Sequence, residues 1–247
     1  GGFAADHQSW RMPFFGIGVF FVAISLALFA IDRRLPAHAR VLNRVEGHAV
    51  RRMINEFSQV LAKPWARVVL LTVFLEGAFL YGAFAFIATH LHEHFGLSLG
   101  TAGSTLMVFG FGGLLFALAS ATLVRRLGEV GLTLYGGVLL GASLLAIGTA
   151  PAWWWAIPAC FVAGLGFYML HNTLQINATQ MAPERRGAAV SAFASSFFLG
   201  QAFGVALDGA MVAQVGTGAV ISAGALGVVL VAVSFSRLRS RRLATAT

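Results

Sequence analysis

Apolar positions fall into long blocks along this chain, separated by short polar connections. Seven blocks, residues 13–31, 68–89, 101–124, 131–149, 155–175, 188–207 and 216–235, are each 19 to 24 residues long. At about 1.5 Å rise per residue, each is long enough as an α-helix to cross the ~30 Å hydrocarbon core of a bilayer. A helix satisfies its own backbone hydrogen bonds, which lipid requires. The pattern predicts an all-α integral membrane protein with seven transmembrane helices, and the frequent glycines inside the blocks suit closely packed membrane helices.

Composition narrows the class. The chain is 58% hydrophobic and 11% charged, with a mean hydropathy of +0.80. A soluble domain averages about 25% charged residues, so that class is excluded. The net charge of +8 lies in short clusters between apolar blocks, not on one soluble face, and no nucleic-acid partner is expected. Those clusters set topology. With 32–67 on the cytoplasmic side, Arg125, Arg126, Arg185, Arg186 and the tail arginines also fall inside, leaving only Arg11 of the 17 basic residues outside. Trp153, Trp154 and Trp155 sit on an outer connection as interfacial anchors. Cys160 is the one cysteine, so no internal disulfide can form. The start Gly1-Gly2-Phe3 carries no signal peptide pattern and reads as part of a longer chain.

The one long connection, 32–67, places Val41, Val45, Met53, Ile54, Phe57, Val60 and Leu61 at mostly helical spacing among basic residues. This predicts a basic amphipathic helix on the inner membrane surface, ended by Pro64. It would attract anionic headgroups or simply tether two bundles. The outer connection His90-Leu91-His92-Glu93-His94 has imidazoles at alternate positions but no companion ligand cluster, so no metal is expected there.

Two blocks carry a carboxylate or imidazole inside, Glu76 and His171, and a third is followed directly by Asp208. An ionisable group within the hydrocarbon is costly and faces a protein interior or a wet cavity, which makes it a functional candidate; packing by interhelical hydrogen bonds is the plainer alternative. Tyr168, His171, Asn172, Gln175 and Thr179 fall at i, i+3, i+4, i+7 and i+11 and share one helix face, a candidate cavity lining. A buried carboxylate and an imidazole are both suited to taking up and releasing protons. Asp208 lies close to the outer end of its block, where it could be a wet helix terminus.

The connection Met181-Ala182-Pro183-Glu184-Arg185-Arg186-Gly187, followed by small residues at Ala188, Ser191, Ser195, Gly200 and Gly204, resembles the major facilitator superfamily. Gly1-Gly2 with Ser9-Trp10-Arg11, and Leu123 to Gly128, are similar to two further places in that family's pattern. Where the family's loop pattern has Gly and Asp, this chain has Ala121 and Arg125. The run from Gly82 to Thr89 is similar to the drug:proton and sugar efflux branch.

The resemblance implies that the blocks are spans six to twelve of a twelve-span fold. Residues 1–31 would end the N-terminal bundle, 32–67 form the cytoplasmic linker, 68–235 the C-terminal six-helix bundle and 236–247 a basic cytoplasmic tail. Glu76 and the polar stripe then lie on the two cavity-lining helices of this half. The implied protein is a proton-coupled exporter of small amphipathic molecules or sugars in a bacterial inner membrane. Glu76, His171 and Asp208 would handle protons, and Phe79, Tyr81, Tyr168, Asn172 and Gln175 would contact substrate. Its partners would be substrate, protons, lipid and the missing N-terminal half, with no cofactor. A proton-independent uniporter and a non-transporting scaffold are the alternatives. A membrane enzyme is not expected, because the chain has no Ser/His/Asp arrangement, no His-Glu-x-x-His and no phosphate-binding Gly-Lys motif.

Overall fold

The computed structural model describes residues 11–34 and 49–245. Gly1, Gly2, Ser9 and Trp10, and the part of the linker with Val41 and Val45, lie outside them. Among the described residues every regular element is helical: α1 (Met12–Arg34), α2 (Ala49–Leu61), α3 (Pro64–Ala85), α4 (Ile87–Phe95), α5 (Leu99–Thr149), α6 (Ala156–Met181), α7 (Arg186–Val215) and α8 (Thr217–Ala244). Single 3-10 turns, Trp153–Trp155 and Pro183–Arg185, precede α6 and α7.

The 51 residues of α5 would make a rod of about 77 Å, more than twice the hydrocarbon thickness. The helix is broken at Gly128, whose φ of 60° and ψ of −178° belong to a backbone region essentially reserved for glycine. The arms 99–127 and 129–149 both lie along the middle of α6, since Gly112 meets Phe161 and Leu165 while Gly136 meets Gly166 and Leu170. The chain therefore reverses at one residue. The expected loop around Arg125 and Arg126 is helix on both sides of that residue. Counting both arms, and joining α3 to α4 across Phe86, seven apolar spans are present.

Six of these spans pack into a bundle. Its core runs through Val69, Val73 and Leu80 of α3, Leu140 and Leu144 of α5, Leu170 and Leu174 of α6, and Ile221, Val228 and Phe235 of α8. Lipid tails are as apolar as leucine, so close van der Waals fit holds such helices together in place of a hydrophobic drive. The crossing of α3 and α7 shows how: a Cβ on Gly200 or Gly204 would overlap the backbone of Phe74 or Ala78. Helix α1 is different, with its phenylalanines from Phe14 to Phe29 exposed along the described length.

The linker helix stops at Leu61, three residues before Pro64, and Pro64 opens α3, where its missing N–H costs nothing. The outer connection differs from expectation. Residues 90–94 are not a loop but the body of α4. His90 is buried with Nδ1 2.9 Å from the Thr217 hydroxyl and its ring stacked on His94, while His92 donates from Nδ1 to the Leu97 carbonyl. The helix turns the alternate imidazoles in different directions.

Candidate functional site

The buried face of α3 repeats at three- and four-residue spacing through Val69, Val73, Glu76, Leu80 and Ala83, and every member is at most 1% exposed. One position in that stripe is a carboxylate where its neighbours are apolar. Glu76 is fully enclosed, and its Oε2 lies 2.9 Å from Nδ1 of His171 on α6. This hydrogen bond holds one proton between two groups. With Nδ1 protonated the imidazole N–H donates to the carboxylate; with Glu76 protonated its O–H donates to Nδ1. The other oxygen, Oε1, is buried and has no hydrogen-bond partner among the described residues. Leaving a buried acceptor unpaired costs about 1–3 kcal/mol, more when it is charged.

Aromatic rings wall the pair. The His171 ring stacks on Phe167 with centroids 4.9 Å apart and meets Phe197 at 4.6 Å and Phe193 at 5.4 Å. Tyr81 sets its edge against Phe167 and Phe197, and Phe109 and Phe84 extend the cluster. His171 keeps 18% of its side chain exposed, whereas Glu76 keeps none. The imidazole is thus the more exposed member.

The polar stripe of α6 lies on a partly exposed face of that helix. Tyr168 and Gln175 are exposed and His171, Asn172 and Thr179 half-buried, while Phe167, Leu170, Leu174 and Ala178 on the adjoining face are buried. Tyr168 packs its ring over Gly113 and stacks on Phe116.

Two candidate residues lie apart from Glu76. Phe79 faces α8, its ring filling the place of a Gly227 side chain, and so is turned away from Tyr81 and His171. Asp208 is half-buried against Gly82, six residues beyond Glu76 along α3, and α7 continues past it to Val215. It is neither at the helix terminus nor beside the pair.

Sequence reasoning missed Phe167, Phe193 and Phe197. With 22 phenylalanines in the chain, composition singles out none of them; only the i−4 spacing of Phe167 from His171 was a usable signal. It also missed a polar knot at the basic end of the bundle. Glu129 Oε2 accepts from Asn177 Nδ2 at 3.0 Å and from Arg239 Nε at 2.9 Å, joining α5, α6 and α8. Glu56 of α2 pairs with Arg185, and Lys63, in the connection from α2 to α3, pairs with Glu184, which ties this segment to the 3-10 turn before α7.

Seven apolar spans among the described residues, six of them packed around a buried carboxylate–imidazole pair, define a multi-pass α-helical membrane protein. The chain belongs to the Major Facilitator Superfamily, whose family model matches residues 1–205. It is 25% identical over 213 residues to the uncharacterized MFS-type transporter YceJ of Bacillus subtilis, covering 85% of this chain and 52% of that protein. It is 31% identical over 199 residues to the multidrug efflux protein YfmO of the same organism, covering 78% of this chain and 46% of that protein. The chain spans about half the length of these curated relatives. No solved structure matches it.

Proposed function

We propose that this chain is the C-terminal half, with the last span of the N-terminal half, of a secondary transporter that exports small amphipathic molecules or sugars in exchange for protons. In this reading residues 1–31 close the first bundle, 32–67 link the bundles on the cytoplasmic side, 68–235 form the second bundle and 236–247 a cytoplasmic tail. The membrane is a bacterial inner membrane. Substrate sits near the midplane between the halves, which rock about it.

The observation that carries the reading is the Glu76–His171 pair with its unpartnered Oε1. A group that is enclosed, shares one proton with an imidazole and leaves one oxygen unsatisfied gains from any state that brings it a proton or a donor. His171, partly exposed, passes the proton between the open face of α6 and Glu76. The loaded pair favours one facing of the transporter and the unloaded pair the other. Amphipathic substrate lies against Tyr81, Tyr168 and the phenylalanine wall, with Asn172 and Gln175 as polar contacts. The likeness to a relative named as a multidrug efflux protein supports export of varied molecules.

The test is Glu76→Gln in the full-length transporter, reconstituted in vesicles with an imposed pH gradient and a fluorescent amphipathic substrate. Glutamine keeps the shape and loses the titration. Uphill accumulation is expected to vanish while downhill exchange persists; a variant that still pumps uphill would sink the proton role.

A further inference from the structure

The α3–α8 seam carries a surface feature with no part in the Glu76 pair. An apolar groove of 340 Å³ runs between the two helices, lined among others by Val68, Leu71, Leu75, Phe79, Leu230 and Ser234. At its basic end it meets a second hollow, of 430 Å³, formed by Pro64, Trp65, Val68, Leu238, Arg241, Arg242 and Thr245. Val68 and Leu238 line both, so the two adjoin.

Three observations select the occupant. From Val68 to Phe79 the groove rises about 17 Å along α3, and one leaflet of the hydrocarbon core is about 15 Å deep. The groove is therefore as long as a single acyl chain is deep. Its mouth carries Arg241 and Arg242, both exposed. Neither has a carboxylate partner among the described residues, whereas the adjacent Arg239 is held by Glu129. Arg242 lies 4.5 Å above the ring of Trp65, an aromatic at the depth where tryptophan marks the membrane interface. No acidic residue lines either hollow.

We infer that this seam is a binding site for an anionic phospholipid of the leaflet at the basic end, with one acyl chain in the groove and the phosphate against Arg241 and Arg242. The site needs only the fold and the charge asymmetry. It stands whether or not Glu76 moves protons.

The experiment is native mass spectrometry of the full-length transporter released from nanodiscs of phosphatidylglycerol mixed with phosphatidylcholine. Selective retention of phosphatidylglycerol is expected. Arg241→Gln/Arg242→Gln should weaken it about thirtyfold, a factor of about five for each arginine near an anionic surface. Ser234→Phe fills the groove while leaving the charge untouched, and it too should release the lipid. Both variants change exposed positions and are checked for unchanged melting temperature. Three results would each overturn the proposal: equal retention of the two lipids, retention unaffected by either variant, or no retained lipid because the rest of the transporter covers the seam. Displacement by inorganic phosphate with Ser234→Phe silent would reduce the site to a headgroup contact and overturn the acyl part.

Discussion

Glu76 on α3 and His171 on α6 are 95 residues apart in the chain and 2.9 Å apart in space. The contact joins a fully enclosed carboxylate to the middle of the partly exposed polar face of α6. A carboxylate and an imidazole that share one proton are what the proposed coupling role requires.

The imidazole is the first place to test that view. His171→Gln keeps a donor near Glu76 but does not titrate between about pH 5 and 8, as histidine does. The pH-driven efflux rate is expected to fall about tenfold, the scale of one lost hydrogen bond to a charged group, and to lose its pH dependence in that range. Downhill exchange serves as the control. An unchanged pH profile would mean His171 only packs.

Glycines at the α3–α7 crossing should tolerate no side chain. Gly200→Ala pushes a methyl into the Phe74 carbonyl and should destabilise by about 1–3 kcal/mol, read as a lower melting temperature in detergent. At Gly209 a Cβ would meet only the Phe86 ring, at 3.8 Å. Gly209→Ala should therefore be neutral or gain up to about 1 kcal/mol.

The reversal within α5 makes a conformational prediction. Gly128 has open space around its Cβ position, so any cost of substitution there is backbone strain. Gly128→Ala should cost about 1–3 kcal/mol. Asparagine eases the left-handed helical region but not a ψ of −178°, so Gly128→Asn should be no better. Melting temperatures of the two variants decide it.

The knot at the basic end can be measured as a coupling. Glu129→Gln and Arg239→Gln each break the ion pair, and Asn177 shares the same carboxylate oxygen. A double-mutant cycle should give about 1–2 kcal/mol of interaction, above the usual value for an exposed pair because the Arg239 side chain is only 13% exposed. A coupling near zero would mean the bundle end is held by packing alone.

The linear chain determined a great deal here because a bilayer imposes simple demands. Span length, internally satisfied backbones and the placement of Arg and Lys are local properties, so the seven spans could be read from residue order. The cost of charge in hydrocarbon likewise marked Glu76, and helical spacing marked the stripe from Tyr168 to Thr179. Register and reach were not local. Phe79 and Tyr81 are two residues apart, and only the crossing of α3 with α8 turned Phe79 away from the pair. Asp208 looked terminal until α7 was seen to run on beneath Gly82, and residues 90–94 looked like a loop until α4 carried His90 to Thr217. The phenylalanine wall exists only where α3, α5, α6 and α7 converge, and the Glu129 knot only where α5, α6 and α8 do. One-dimensional periodicity tells which face of a helix is polar, but which neighbour that face meets is decided by the close contacts glycine permits between distant helices.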